Sequence, residues 1–264
     1  MDGSLKTSGA IASMDGISLE EMGAVKLMNR IDTKYVTTEG MALEIFADAA
    51  AMGYCACEIE GEKITSYHSM YYDTPDLEMF RIHRSGRKVR QKIRVRTYLV
   101  SGITFLEIKR KNNKGRTKKK RMRVPDGYSL GSRQMSEAAD FIELHSWYSL
   151  SDVSPACTTD FDRVTLVNKE KTERITFDSS LAFTNPRTGR SANLGDTVII
   201  ELKQDGRADS SMRKILLDHR VHPFKVSKYC IGTVLTDQSV HPGRFKEKIR
   251  GIEKITGKKI NNRP

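Results

Sequence analysis

From Lys88 to Arg96 every second residue is a cation: Lys88, Arg90, Lys92, Arg94 and Arg96, with Val89, Gln91, Ile93 and Val95 between them. A period of two belongs to a β-strand, whose side chains alternate between faces. One face of this strand is therefore wholly positive and the other mostly apolar. Side chains two apart on a strand stand ~6.7 Å from each other. At that spacing unit charges repel by about 2.5 kcal/mol at an effective dielectric of 20, and by about 0.6 kcal/mol in water. Such a row needs either full solvation or a polyanion lying along it. This strand alone leaves both readings open.

The rest of the chain shares the bias. Lys and Arg number 45 against 33 Asp and Glu in 264 residues, a net charge of +12. Lys109 to Arg123 holds ten cations and no acid. The expected partner is anionic: nucleic acid, a phosphorylated metabolite, polyphosphate or a membrane surface. Four cysteines are too few for a disulfide scaffold of this size, and Cys55-Ala56-Cys57 lacks zinc-knuckle spacing. They read as free thiols in a reducing compartment. No apolar run approaches the ~18 residues of a membrane span, and the N-terminus has no signal-peptide core. The expected location is cytoplasmic, with no membrane span.

Three segments are expected: a disordered 1–16, a main domain over 17–237, and a basic helix and tail over 238–264. Thr38 reads as the N-cap of a helix to Met52, with Ala42, Leu43, Ile45, Phe46 and Ala49 as its apolar stripe. Further helices are expected over Leu19–Met28, Ser136–His145 and Ser210–Leu217. Strands are expected over Tyr54–Glu60, Ile64–Tyr72, Arg87–Leu99, Ile103–Lys111 and Thr117–Val124. They resume over Thr159–Asn168, Arg174–Asp178, Leu181–Phe183 and Thr197–Gln204, with turns at Ser101-Gly102 and Asn112–Gly115. The fold class is α+β with antiparallel strands.

Several strands pair a charged face with an apolar one. Glu107, Lys109 and Lys111 share a face opposite Leu106 and Ile108; Glu201 and Lys203 share a face opposite Ile200 and Leu202. A closed barrel with the charges inside and helices on its apolar outside would form a polyanion tunnel. Phosphate oxygens need many Arg and Lys donors, and a metal bridging two phosphates needs a carboxylate. A cross-strand salt bridge accounts for Glu107 and Glu201 equally well. P-loop and Gly-x-Gly-x-x-Gly nucleotide motifs are absent, as is His-Glu-x-x-His. The basic strands lack the interleaved aromatics that stack bases, so nucleic acid is not the expected partner.

Eight elements follow in order: Asn29–Tyr35, Tyr71–Asp76, Lys92–Tyr98, Phe105–Lys111, Asp162–Thr165, Glu173–Asp178, Ile199–Lys203 and Phe224–Tyr229. Together, over roughly 25–237, they resemble the catalytic domain of the VTC (vacuolar transporter chaperone) polyphosphate polymerases. Those enzymes form a branch of the triphosphate tunnel metalloenzyme (CYTH-like) superfamily. The resemblance implies an antiparallel β-barrel tunnel with helices packed outside. It also implies transfer of the ATP γ-phosphoryl group onto a growing inorganic polyphosphate chain, with Mn²⁺ or Mg²⁺.

Residue by residue, the resemblance implies catalytic roles for Arg94, Arg96, Lys109, Arg163, Arg174 and Lys203. It implies phosphate binding by Lys34, Lys92, Lys111, Lys119, Arg121, Lys225, Ser227 and Lys228, and a metal held by Glu201. The lysine run 118–121 admits a one-residue slip. Lys225 and Lys228 differ in strand parity, so both reach the tunnel only if the backbone turns between them. Hydrolase members of the superfamily begin with Glu-x-Glu-x-Lys, where this chain has Arg30-Ile31-Asp32-Thr33-Lys34. That departure favours the polymerase branch, and coupling to membrane translocation is not carried over. The alternatives are a tunnel triphosphatase acting on tripolyphosphate or nucleoside triphosphates, and a non-enzymatic polyphosphate or inositol-phosphate binding module. Nothing in the pattern points to a particular oligomeric state.

Overall fold

The structure, a computed structural model, describes residues 5, 8–23, 30–130, 136–206 and 209–260. Among them the strands are β1 (Gly16–Ile17), β2 (Arg30–Thr38), β3 (Cys55–Cys57), β4 (Ile64–Asp73), β5 (Arg90–Tyr98), β6 (Ile103–Lys111), β7 (Thr117–Val124), β8 (Ser154–Val167), β9 (Glu173–Thr184), β10 (Ser191–Asn193) and β11 (Thr197–Asp205). The helices are α1 (Gly9–Ser13), α2 (Leu19–Gly23), α3 (Glu39–Ala51), α4 (Glu78–Arg84), α5 (Ser136–His145), α6 (Ser211–Asp218), α7 (Lys228–Thr236) and α8 (Arg244–Thr256).

The main path of the sheet runs β2-β11-β9-β8-β4-β5-β6-β7, antiparallel at every step. The expected closed barrel is corrected here: β2 and β7 are edges and do not pair among the described residues. The sheet nevertheless curls. Glu201 on β11 acts electrostatically on Lys109 on β6, five strands away, a distance of ~24 Å in a flat sheet. The trough so formed takes the place of a hydrogen-bonded tunnel. Both edges are guarded: Phe224 N–H donates to the Lys34 carbonyl of β2 (2.6 Å), and β7 carries a run of exposed lysines.

Alternation along the strands puts apolar residues on the convex side. Ile175, Phe177, Ile200 and Leu202 pack there against Ile45 and Phe46 of α3 and against Met212, Ile215 and Leu216 of α6. On the other half Ile93, Val95, Leu106 and Ile108 pack against Ala138 and Ile142 of α5. Burial of each such large side chain contributes about 1.5–3 kcal/mol. The Thr38 side chain caps α3 by accepting from Met41 N–H (3.2 Å), as its sequence position requires.

α7 lies on the concave side and was not foreseen. Tyr229 through Thr236 are all buried, packed on Tyr71, Cys157, Phe161, Phe183 and Ile199. Its two threonines satisfy their hydroxyls by donating to Tyr229 and Gly232 carbonyls (2.8 and 2.7 Å). α4, also unforeseen, is tied to α7 through buried Asp73. One Asp73 oxygen accepts from Met79 N–H (2.9 Å), the other from Phe80 N–H (2.9 Å) and from the Tyr229 hydroxyl.

Other expectations shift at their ends. Lys88 precedes β5, so the alternating row within the strand is Arg90 to Arg96. β8 starts at Ser154, inside the expected link, and the strands expected over 174–178 and 181–183 are one strand, β9. Residues 8–16 are not disordered as expected: α1 forms there, and Ile11 and Met14 enter the core because they cover α3. α2 ends at Gly23, and the rest of the helix expected to Met28 lies outside the described residues. α8 sits in the basic C-terminal segment and adds Phe245, Ile249 and Ile252 to the core. All four cysteines are free thiols. No described helix is long and apolar enough to cross a membrane.

Gly232 lets α7 approach the sheet. A Cβ there would stand 2.6 Å from the Phe183 ring and 2.8 Å from Cys157 Sγ. Overpacking of a tight core costs about 1–3 kcal/mol, and about 1 kcal/mol moves the melting temperature of a domain this size by roughly 2–4 °C. Gly232→Val should therefore melt several degrees lower in differential scanning calorimetry; an unchanged transition would mean α7 is not packed this closely.

Candidate functional site

The concave face is built in rows across β5, β6 and β7. Pairing sets Lys92 beside Lys109 beside Lys119, then Arg94 beside Glu107 beside Arg121, then Arg96 beside Phe105 beside Arg123. This register places Lys119 and Arg121 on the charged face and removes the slip the lysine run allowed. Across the trough, Lys34 of β2 lies opposite Glu201 of β11, and Lys203 lies between Asp32 and Arg174. Arg163 of β8 lies opposite Asp178 of β9.

Three carboxylates organise these cations. Glu107, 1% exposed, accepts from Arg94 Nε (2.7 Å) and from Lys119 Nζ (2.7 Å). Asp178 accepts from Arg163 Nε and Nη2 (2.6 and 2.8 Å) and from Lys228 Nζ. Glu201 pairs with Lys203 Nζ (2.9 Å) and Lys34 Nζ (3.5 Å). Burial opposes the charge on all three, but the surrounding cations outweigh it and hold each carboxyl well below the usual range.

Burial and mutual repulsion press on the remaining cations. Arg96 donates to Ser69 Oγ (2.9 Å) and lies over the Tyr67 and Phe161 rings, 5.4 Å from each. Lys92 donates to Ser227 Oγ (2.9 Å) at the N-cap of α7. The Arg94 charge first, then burial, pushes the Lys109 ammonium well below its ordinary pKa. Burial also lowers Lys92 and Lys203, and takes Lys228 down to about 8 despite Asp178. Tyr71 donates no charge but accepts from Arg94 Nη1 (3.0 Å). Burial alone would raise its phenol; Arg94, Arg96 and Lys92 together bring it to about 8.

Most of the residues expected at a site therefore meet. Arg94, Arg96, Lys109, Arg163, Lys203, Lys34, Lys92, Lys119, Ser227, Lys228 and Glu201 line one trough, and Arg174 lies on the same face beside Lys203. The backbone does turn between Lys225 and Lys228, since Ser227 caps α7. Lys228 enters the trough, while Lys225 stays exposed at the rim, where its charge is felt by Lys111. Arg121 lies over the Phe105 ring (4.6 Å).

Asp178, Tyr71 and the hydroxyls of Thr159 and Thr176 were not singled out from the sequence. Both threonine hydroxyls are buried without a hydrogen-bond partner among the described residues. Thr176 lies beside Glu201 in the β9–β11 register. No three His, Cys, Asp or Glu side chains converge among the described residues. One carboxylate and an unpartnered hydroxyl fit Mg²⁺ or Mn²⁺ in the way these ions sit in phosphate sites, with most ligands taken from phosphate and water.

Residues 29–236 match the VTC domain family. The chain belongs to this family. No curated protein matches it. Similar solved structures include PH1819 from Pyrococcus horikoshii OT3, at 12% identity and TM-score 0.41, covering 74% of this chain and 93% of that one. Another is HpAC1 from Hippeastrum, named for adenylyl cyclase and described with a dominant triphosphatase activity. It has 12% identity and TM-score 0.47, covering 76% of this chain and 94% of that one.

The depressed lysines give a pH signature. Above pH 8 the ligand-free Lys228 gives up its proton, whereas the unfolded chain keeps it to about 10.4. The unfolded state then binds more protons, so this group makes stability rise with pH between those values. A bound polyanion favours the charged lysine and the neutral Tyr71 phenol, so binding near pH 8.5 takes up protons and weakens as pH rises. Titration calorimetry with tripolyphosphate in two buffers of different ionisation enthalpy should show this uptake; identical heats would contradict it.

Proposed function

We propose that this VTC domain is a polyphosphate polymerase that transfers the γ-phosphoryl group of ATP onto the end of an inorganic polyphosphate chain. The observation that carries the reading is the trough itself. Cations from β2, β5, β6, β7, β8, β11 and α7 face one space, bridged by Glu107, Asp178 and Glu201. Phosphoryl transfer asks for positioning and charge neutralisation rather than covalent help from the protein.

In this reading Arg94, Arg96 and Arg163 grip the transferring phosphates, since a guanidinium gives a phosphate two parallel hydrogen bonds. Lys109 and Lys203 neutralise charge at the centre, with Arg174 beside them. Lys34, Lys92, Lys119, Ser227 and Lys228 hold the chain end and product, and Lys111, Arg121 and Lys225 extend the field to the rims. Glu201, with Thr176 beside it, would hold Mg²⁺ or Mn²⁺, which supplies further neutralisation of the phosphate oxygens when bound.

None of the three bridging carboxylates is suited to hydrolysis as a general base. Activating water needs a base with a pKa near the working pH, and each buried carboxylate here is held far below that by its cations. A polyphosphate terminus is already an anion and needs no base. The free cysteines support a reducing, cytoplasmic setting.

Incubation of purified protein with ATP and Mn²⁺ should yield long chains by gel electrophoresis. Free phosphate without polymer would favour the triphosphatase, and neither product the binding module. Arg96→Lys should lose nearly as much polymer yield as Arg96→Ala, about 10²–10³-fold, because lysine cannot replace the planar fork. Glu201→Gln should abolish turnover while tripolyphosphate binding and the melting transition persist. Normal activity per folded molecule in that variant would return Glu201 to a purely structural salt bridge.

A further inference from the structure

The row next to the Arg94–Glu107–Arg121 row has a ring where the others have charge. Phe105 sits between Arg96 and Arg123 in register. It is half-buried, with the Tyr98 ring edge-on at 5.9 Å and the Arg121 guanidinium over its face at 4.6 Å. Arg121 is exposed and is free to lift. A solvated arginine lying on a ring marks a surface that can accept another flat, electron-rich group between the two layers. Rings of nucleobases stack on such platforms without needing sequence-like hydrogen-bond readout.

We propose that Phe105, Tyr98 and Arg121 form a nucleobase platform at the end of the phosphate trough, so that the domain binds its nucleoside triphosphate by the base as well as by the phosphates. The inference rests on the polymerase reading for its phosphate end. Along β6 the concave face runs Phe105, Glu107, Lys109, in two steps of ~6.7 Å each. That span is comparable to the one from the base to the terminal phosphate of an extended nucleoside triphosphate. A base on Phe105 therefore leaves the inner phosphates by Arg96 and Arg121. The terminal phosphate reaches the Lys109 row, whose charge communicates with Glu201. Another ring under a guanidinium, exposed Trp147 beneath Arg110 at 4.8 Å, serves as the contrast. Arg110 is on the convex parity of β6, so a base there would hold its phosphates away from the trough.

The test is equilibrium binding of ATP and of tripolyphosphate, measured by titration calorimetry on the full chain. Phe105→Leu keeps an apolar side chain but removes the ring. ATP affinity should fall by about five- to a hundred-fold, the range for one base–aromatic stack, with tripolyphosphate affinity within twofold of the starting protein. Phe105→Tyr should retain ATP affinity, and Trp147→Leu should change neither ligand. Equal losses for both ligands, or no loss for either, would overturn the platform. Because the readout is binding, it stands whether or not polymer is made. If tripolyphosphate itself fails to bind the starting protein, the trough reading falls and the platform with it.

Discussion

Everything on the concave side depends on holding like charges, many of them buried, beside one another. Three adjacent lysines, Lys92, Lys109 and Lys119, stand in one row across β5, β6 and β7, and Arg94 and Arg96 of β5 are almost fully buried. Burying such groups is costly unless counter-charge stands near them. Glu107, Asp178 and Glu201 supply it, each reaching cations from two elements. Glu107 joins β5 to β7. Asp178 joins β8 to α7, and Glu201 joins β2 to its own strand. Each carboxylate therefore tunes the field of the site while joining the elements its cations come from.

The bridges neutralise part of the field and fix the rest in direction. Arg94 and Arg163 are locked by two-point contacts, so little side-chain freedom remains to be lost when a phosphate arrives. Arg96, Lys92 and Lys109 carry the surplus. The site is thus pre-organised for a chain of anions, and α7 supplies both its end wall and two of its polar groups, Ser227 and Lys228. Gly232 and the Asp73 contacts, far from any phosphate, matter because they set where that helix lies.

The two-residue period of β5, β6 and β11 made the charged faces legible, because strand parity converts sequence spacing directly into facing. Thr38 announced its helix through cap chemistry. α7 was hidden for a physical reason. A helix buried all round has no polar face, and Cys230, Ile231, Gly232, Thr233 and Val234 are all weak helix formers. Only Ser227 marked its start. Asp178 was visible as a letter, but its pairing with Arg163 depends on the β8–β9 register, and that strand carries an irregularity between Asp160 and Asp162. Closure of the barrel was inferred from charged faces that need a common interior. The curl satisfies that need without a β2–β7 pairing.

The central claim is that the buried cations form one polyanion site rather than separate solvated or salt-bridged faces. Its most direct measurement is the melting temperature of the protein titrated with tripolyphosphate at low salt and again at molar salt. A ligand that binds only the folded state raises the melting temperature with its concentration, and screening weakens it. The account predicts a rise of several degrees at low salt that shrinks at high salt and is much smaller with monophosphate. No rise at low salt, or the same rise with monophosphate, would contradict it.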